Sequence, residues 1–212
     1  VVIDVPPSSQ VHKQVIRKEA EARDIDIDPA VRLFYVEVES PEMDTPKGDY
    51  ERLLDALSQD WGLVNLETDL HVLTKLQKAL ESESRGITLA IHRQTKIIAV
   101  WSGVKEAIYG AAIDLGSTTL AAHLCNLANG EVVSSSSIMN PQIRFGEDLM
   151  SRVSYVMMHE EGAQQLTEAV RQSLQELLEE LIVNNEIDIT DILEISLVGN
   201  PIMHHLVLGI NP

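Results

Sequence analysis

The second half of the chain contains three predicted β-strands in direct succession, and this feature constrains the fold more than any other. The first strand is a near-continuous apolar run over residues 108–113. Residues 120–127 alternate between apolar and polar side chains, as in a strand with one buried face. Asn129-Gly130 then gives a two-residue hairpin signal into a third strand over 132–138. Strands in this order, followed by helices, predict a mixed α/β domain.

The residues after the third strand predict two helices, a short buried strand and a last helix. Apolar residues recur at helical spacing through the longer of the two helices. Gly199-Asn200-Pro201 ends the strand. In chain order these elements are predicted over residues 145–158, 163–184, 195–198 and 202–208.

The residues before this domain predict a smaller α/β unit. A strand rich in Val, Phe and Tyr comes first, then two amphipathic helices, then two strands joined by a short polar turn. Asp49 and Thr68 are of the residue types that cap helices and are predicted to begin the two helices, and Gly86 lies just past the second. Trp61 and Trp101 are predicted to anchor the core. The strands are predicted over residues 31–38, 87–91 and 96–101.

The change from this unit to three sequential strands sets the predicted domain boundaries. Residues 1–30 contain Pro6-Pro7-Ser8-Ser9 and have a poor apolar stripe, which is typical of a linker. We therefore predict a linker over 1–30, a small α/β middle domain over 31–105 and a second α/β domain over 106–212.

Charge and composition exclude several classes of protein. The formal net charge is −17, whereas a nucleic-acid-binding surface needs clustered Lys and Arg. No apolar run reaches the roughly 20 residues that span a bilayer, and the first residues do not have the pattern of a signal peptide. The single cysteine, Cys125, excludes an internal disulfide and a Cys-ligated iron–sulfur cluster within this chain. We expect a buried thiol there and a cytoplasmic protein.

The acidic residues are concentrated between Glu160 and Glu194. This segment contains ten carboxylates and a single cation, Arg171. Two interpretations stay open, namely a solvated helical face and a docking surface for a basic partner.

A polar turn follows the first of the three strands and has the composition of a phosphate-binding loop. Its sequence is Asp114-Leu115-Gly116-Ser117-Thr118-Thr119. Gly116 lets the backbone approach an anion closely, and the amide groups from Gly116 to Thr119 can converge on phosphate oxygens. The carboxylate of Asp114 is placed to hold Mg²⁺ through its water shell. An ordinary hairpin turn uses the same residue types, so that interpretation also stays open.

Several further segments carry a resemblance to a known family. The three strands and their turn resemble the superfamily of acetate and sugar kinases, heat-shock 70 proteins and actin, in which this turn is the first phosphate motif. The chain more closely resembles the ATP-dependent reductive activators of corrinoid proteins. The segments that carry the closer resemblance are Val5-Pro6-Pro7-Ser8-Ser9; Asn140-Pro141-Gln142 with Phe145-Gly146-Glu147-Asp148-Leu149 and Ser151-Arg152-Val153; Val198-Gly199-Asn200; and Met203-His204-His205-Leu206 with Leu208-Gly209.

The resemblance implies a fold and a function. The fold is a small α/β middle domain followed by the first half of an actin-like (ribonuclease-H-like) nucleotide-binding domain. The function is hydrolysis of ATP, with Mg²⁺, to drive the reduction of a Co(II) corrinoid protein to Co(I) by an electron from a [2Fe-2S] domain. The chain has no cysteine quartet, no second phosphate loop and no adenosine-binding segment. We therefore expect a piece of a longer ATPase, inactive alone, and a homodimer is compatible with the resemblance.

The resemblance also directs attention to the residues after the third strand and near residue 200. Related kinases place substrate-facing residues after that strand, and the start of a helix rich in acids is the alternative interpretation. His204 and His205 are adjacent, so on a helix they diverge by about 100° and do not readily share a metal ion. The residues predicted to face a substrate or partner are Asn140, Gln142, Arg144, Glu147, Asp148, Arg152, Gly199 and Asn200.

Two other functions remain as alternatives. A small-molecule kinase of the same superfamily would use the same turn, although such kinases usually begin near it and here it starts only at Asp114. An inert interaction or dimerisation module is the other. A ferredoxin-like cysteine pattern upstream and a second phosphate loop downstream would favour the reductive activator over such a module.

Overall fold

A computed structural model describes residues 27–44, 46–82 and 84–212. Most of the predicted linker, residues 1–26, therefore lies outside the described part of the chain. The first unit contains, in order, β1 (Val31–Glu37), α1 (Asp49–Trp61), β2 (Glu67–Thr68), α2 (Leu70–Ala79), β3 (Gly86–His92) and β4 (Lys96–Ser102).

The first unit is a four-stranded sheet with two helices on one face. The strand order is β1-β3-β4-β2, in which β2 runs parallel to β4 and the other neighbours are antiparallel. Alternate residues of β3 point towards α1 and α2, because successive side chains of a strand lie on opposite faces. The most deeply buried members of this core are Leu53, Leu57, Val72, Ile87, Leu89, Ile91 and Ile97.

The helices of the first unit begin one residue away from the predicted positions. Gly48 is the N-cap of α1, and its amide donates to Glu51 Oε2 at 2.8 Å. Asp69 is the N-cap of α2, because Thr68 is held in β2 by pairing with Ile97 of β4.

The prediction of Gly86 as a helix end was also wrong. Gly86 is the first residue of β3, where it pairs with Glu37. A β-carbon at this position would collide with the Tyr35 side chain, so the strand accepts only glycine here without rearrangement.

The two tryptophans of the first unit are not core anchors in the sense predicted. Trp61 is 51% exposed because it is the last residue of α1 and lies over the edge strand β1. Its ring packs edge-on against Phe34, and its Nε1 donates to the carbonyl oxygen of Tyr35 at 2.9 Å. Trp101 is partly buried and packs on the opposite side of the sheet from α1 and α2.

The second unit follows the predicted order of elements. It contains β5 (Tyr109–Leu115), β6 (Thr119–Asn126), β7 (Val132–Met139), a 3₁₀ helix (Pro141–Phe145), α3 (Leu149–Met158), α4 (Gly162–Asn184), a second 3₁₀ helix (Ile189–Asp191), β8 (Ile192–Gly199) and α5 (Pro201–Leu208).

The second sheet has the strand order of the first half of an actin-like domain. The order is β7-β6-β5-β8, with β7, β6 and β5 antiparallel and β8 parallel to β5. A parallel neighbour requires a long crossover, which α3 and α4 provide. The predicted α/β fold, a small α/β domain followed by half of an actin-like (ribonuclease-H-like) domain, is therefore confirmed.

The helices α4 and α5 pack on one face of this sheet. The core residues with no exposed surface include Leu115, Leu120, Leu124, Leu166, Val170, Leu177, Met203 and Leu206. The other side of α4 carries exposed glutamates, three of which accept a hydrogen bond from a glutamine one turn earlier, in the pairs Gln164–Glu168, Gln172–Glu176 and Gln175–Glu179.

Two elements of the second unit differ from the prediction by three residues or more at one end. The helix predicted over 145–158 begins only at Leu149, because Phe145 ends the 3₁₀ helix and Gly146 is extended before Asp148 caps α3. The strand predicted over 195–198 is longer, since Ile192 and Glu194 also pair with β5.

The two sheets are joined by a small apolar cluster. Ile108, just before β5, is 1% exposed and packs with Val31 and Ala90 of the first sheet. Lys105 Nζ forms an ion pair with Asp191 at 2.6 Å. The segment between the sheets is therefore fixed by both apolar and charged contacts.

Two properties expected from composition can be compared with the structure. Cys125 is partly buried rather than fully buried, and burial raises the pKa of its thiol. None of the helices in the described part of the chain has the length and hydropathy needed to cross a membrane.

Candidate phosphate-binding site

The turn after β5 lies at the edge of the second sheet where two parallel strands end. Leu115 of β5 is level with Gly199 of β8, so the turn and the Gly199-Asn200 segment are neighbours. In open α/β sheets, ligands bind at the carboxyl ends of parallel strands. Asp114 is exposed, whereas Ile113 and Leu115 on either side of it face the core.

Gly116 gives the turn its tight shape. Its φ angle is not in the left-handed region, so its role is one of space. A β-carbon at this position would collide with the carbonyl oxygen of Thr119. Any other residue would therefore widen the turn.

Three successive carbonyl groups of the turn point into the domain. The side-chain Nδ2 of Asn140 donates to Gly116 O at 2.8 Å, and the backbone N–H of Asn140 donates to Thr118 O at 2.8 Å. Between them, an amino group of Arg152 donates to Ser117 O at 2.5 Å.

The amide groups of the turn therefore point the other way. In a trans peptide the C=O of one residue and the N–H of the next are antiparallel, and the described residues contain no cis bond. The N–H groups of Ser117, Thr118 and Thr119 are directed away from Asn140 and Arg152. No backbone group of the described residues accepts from the amides of Ser117 and Thr118. Amides arranged in this way suit an anion.

Arg152, which donates to the turn at Ser117 O, is fully buried although it is charged. Its exposed fraction is 0%. Besides Ser117 O it donates to Gly146 O at 3.0 Å, to Gln142 Oε1 at 3.2 Å and to Met203 Sδ at 3.4 Å. Burial lowers the pKa of the guanidinium, and the negative charge of Asp148 acts against this shift. The group stays charged because arginine is not deprotonated in proteins.

Asn140 and Gln142 complete the buried polar network. Asn140 Oδ1 accepts from the Gln142 amide at 2.9 Å and so caps the 3₁₀ helix. Gln142 Nε2 donates to Leu166 O of α4 at 2.9 Å. Both side chains are 0% exposed. Asn140, Gln142 and Arg152 were predicted to face a substrate or partner, whereas their side chains lie inside the domain, behind the turn that follows β5.

Three of the other predicted residues do lie on the surface. Arg144 is exposed, and its guanidinium lies 4.7 Å from the centre of the Phe145 ring. Glu147 is exposed beside it. Asp148 caps α3 by accepting from the Ser151 amide at 2.7 Å, and this hydrogen bond lowers the pKa of the Asp148 carboxyl group. A partner contact stays a prediction for this group.

The end of β8 supplies the last part of the site. A β-carbon on Gly199 would lie 2.9 Å from Leu115 Cβ, so glycine permits the close approach of the two strand ends. Asn200 Oδ1 accepts from the Met203 amide at 3.0 Å and caps α5. Met203 is fully buried, and its sulfur contacts both Arg152 and Asn140.

Met203 is a site residue that was not predicted. Met203 belongs to one of the segments that carry the family resemblance, but no sequence pattern separates a methionine that contacts the network from one that simply fills the core. The signal was its position, three residues after the Asn200 cap, which directs it back towards the turn.

The exposed carboxylate of Asp114 fits a hydrated cation. It forms no hydrogen bond or ion pair with the described residues. Within that same part of the chain no group of three or more His, Cys, Asp or Glu side chains is arranged to hold a metal ion. A single carboxylate suits Mg²⁺, which keeps several waters and takes further ligands from phosphate.

The sheet order and this turn define the class of protein as one with an actin-like domain. Residues 20–107 match the family model described as the RACo linker region, and residues 109–212 match the RACo middle region. Together the two models account for nearly the whole chain. The chain therefore belongs to the RACo family.

Two individual relatives agree with this assignment. The chain is 33% identical over 108 residues to the corrinoid activation enzyme RamQ of Eubacterium limosum, covering 51% of this chain and 18% of that protein. A solved reductive activator for corrinoid,iron-sulfur protein superposes with a TM-score of 0.76 at 30% identity, covering 90% of this chain and 31% of the other. The chain thus spans less than a third of the length of either relative.

The family regions divide the chain between β4 and β5. The first region ends at residue 107 and the second begins at 109. The family models apply the word linker to the first unit and middle to the second, whereas the predicted linker covers residues 1–30 and the predicted middle domain 31–105. The domain boundaries themselves stay a prediction.

Proposed function

We propose that this chain provides the first phosphate-binding turn of an ATP-dependent reductive activator of a corrinoid protein. One observation carries the proposal: Asn140 and Arg152, from either side of the 3₁₀ helix, hold the carbonyl groups of a single turn and leave its amide groups facing outward. Met203 of α5 contacts both of these side chains from behind. The names of the two relatives support the corrinoid part.

In the proposed reaction the chain binds and orients the phosphates of ATP. The outward amides of Ser117 and Thr118 donate to phosphate oxygens, and the Asp114 carboxylate holds Mg²⁺ through water. When bound, Mg²⁺ neutralises charge that develops during phosphoryl transfer. Asp114 therefore acts by fixing the position of the cation relative to the turn.

Hydrolysis of ATP is proposed to drive an unfavourable one-electron transfer. A [2Fe-2S] cluster would supply the electron, and the Co(II) corrinoid substrate would become Co(I). The chain has one cysteine, so residues outside these 212 would hold the cluster. A methyl donor would then transfer its methyl group to the electron pair of Co(I).

Replacement of Asp114 tests the ATP part of the proposal. In the intact protein, Asp114→Asn is expected to lower the rate of Mg-ATP hydrolysis by about 10–100-fold. This is the usual effect of losing a group that holds a metal ion through one of its ligands. Asp60→Asn, an exposed aspartate at the end of α1, is the matched control and should leave the rate unchanged. An unchanged rate in a folded Asp114→Asn protein would remove Asp114 from the mechanism.

A spectroscopic assay tests the corrinoid part. The intact protein, Mg-ATP and a low-potential reductant are mixed with a Co(II) corrinoid protein and a methyl donor. The visible spectrum should change to that of methyl-Co(III), and only when ATP is present. Phosphorylation of a sugar or carboxylate without any effect on the corrinoid would favour a kinase. Absence of any nucleotide binding would favour an interaction module.

A further inference from the structure

We infer that Arg152 is a positioning residue for the phosphate turn, and that its buried positive charge is neutralised by a polyphosphate bound on the opposite side of the turn. This inference rests on the proposed function and adds to it a residue and a requirement on the charge of the ligand. Arg152 acts through Ser117, whose carbonyl group lies between the guanidinium and the outer face of the turn.

The first reason is that, among the described residues, Arg152 has no ionised hydrogen-bond partner. Its acceptors are uncharged: the carbonyl oxygens of Ser117 and Gly146, the Gln142 side-chain oxygen and the Met203 sulfur. Asp148 influences it electrostatically, but that carboxylate is exposed and accepts from the Ser151 amide. A buried charge without a partner is unfavourable, so the folded chain keeps a positive charge here that an anion can neutralise.

The second reason is the direction of the peptide that joins Ser117 to Thr118. Its carbonyl oxygen faces Arg152, so its N–H points outward. A cation at the oxygen end polarises the peptide and makes the N–H a stronger donor, as in a chain of hydrogen bonds. The guanidinium therefore strengthens the amide that is proposed to contact phosphate, without touching the ligand.

The third reason is that hydrogen bonding alone does not require an arginine here. Asn140 is as fully buried as Arg152, and its neutral side chain donates to the neighbouring carbonyl oxygen of Gly116 at 2.8 Å. A neutral donor would suffice at Ser117 if the task were only to fix the turn. The presence of a buried cation instead is explained by an anionic ligand.

The experiment compares, in the intact protein, a ligand that has β- and γ-phosphates with one that lacks them. Affinities for Mg-ATP and for AMP are measured by isothermal titration at low and high salt in the wild type, Arg152→Gln and Arg152→Lys. Arg171→Gln is the matched control, because Arg171 also donates to a backbone carbonyl of this unit, Val207 O, away from the turn. Circular dichroism checks that each variant is folded.

We expect Arg152→Gln to weaken Mg-ATP binding by about tenfold or more and AMP binding far less, because AMP lacks the β- and γ-phosphates proposed to lie against the turn and electrostatic attraction falls with distance. Arg152→Lys should retain most of the affinity and the salt dependence of the wild type, and it serves as the test if Arg152→Gln does not fold. Equal losses for Mg-ATP and AMP, or a lysine variant that loses the salt dependence, would overturn the inference. A wild-type protein that does not bind Mg-ATP would instead defeat the proposed function, whatever the behaviour of the variants.

Discussion

At the scale of single residues, Gly116 and Arg152 have complementary effects on the turn after β5. Gly116 removes the β-carbon that would collide with the Thr119 carbonyl oxygen, so the chain can reverse within three residues. Arg152 and Asn140 then hold the carbonyl groups on the inner side. The outward direction of the amides follows from both, because neither the space nor the hydrogen bonds alone would fix all three peptides.

Replacement of Gly116 should therefore affect stability and nucleotide affinity together. Gly116→Ala places a β-carbon against a backbone oxygen that cannot move without widening the turn, which is expected to lower the free energy of unfolding by about 1–3 kcal/mol. Chemical denaturation measures this change. Gly48→Ala is the control, because a β-carbon there would lie 3.9 Å from its nearest neighbour, Glu51 Oε2. Equal stabilities of the two variants would contradict the steric role of Gly116.

At the scale of elements, the strands and helices were largely predictable and their contacts were not. The apolar run predicted β5, alternation predicted β6, and the Asn129-Gly130 turn indicated β7. The two-residue strand β2 was missed, since Glu67 and Thr68 have no apolar pattern and are held only by pairing with β4.

The inward position of Arg152 could not be predicted from the sequence. Arginine is rarely fully buried, and the acceptors that make its burial tolerable come from residues as distant in the chain as Ser117 and Met203. Gly146 adds a further condition that no local pattern reveals. A β-carbon there would lie 2.7 Å from the Arg152 amide, so glycine allows α3 to approach.

The cap of α3 predicts a pH dependence. The Ser151 amide lowers the pKa of Asp148 below its ordinary value of 3.8, so the ionised carboxylate is favoured in the folded state. This group therefore contributes stability that is fully present above pH 3.8 and is lost as the pH falls through the lower, folded-state pKa. Asp148→Ala should lower the melting temperature at pH 7. The difference in melting temperature between this variant and the wild type should shrink only as the pH falls below 3.8.

Thermal unfolding followed by circular dichroism between pH 7 and pH 3 measures the difference. Glu147→Ala is the neighbouring control, since Glu147 is an exposed carboxylate that does not cap the helix. A difference between Asp148→Ala and wild type that is constant down to pH 3 would show that the Asp148 charge has no part in the cap.

At the scale of the whole molecule, the two sheets are coupled through a few residues near the start of β5. Ile108 packs against Val31 and Ala90, which lie on the face of the first sheet opposite its helices. The Lys105–Asp191 ion pair adds a contact between the segment after β4 and the residue before β8. Because β5 leads directly to the Asp114–Thr119 turn, a displacement between the sheets would be transmitted to that turn through one strand.

Loss of the Ile108 side chain should uncouple the two sheets. Ile108→Ala removes a side chain that is 1% exposed, and such truncations cost about 2–5 kcal/mol. Ile97→Ala, the control, removes an equally buried isoleucine from the core of the first unit alone.

Hydrogen–deuterium exchange in the intact protein should show β3 and β5 opening together in the wild type. In Ile108→Ala the two strands should exchange at separate rates, because the cluster that makes their opening cooperative is lost. In Ile97→Ala the first unit should be destabilised, and β5 should follow it through the intact cluster. Coincident exchange of β3 and β5 in Ile108→Ala would mean that the Lys105–Asp191 pair suffices to couple the sheets. The apolar cluster would then not be needed to couple the first sheet to the turn after β5.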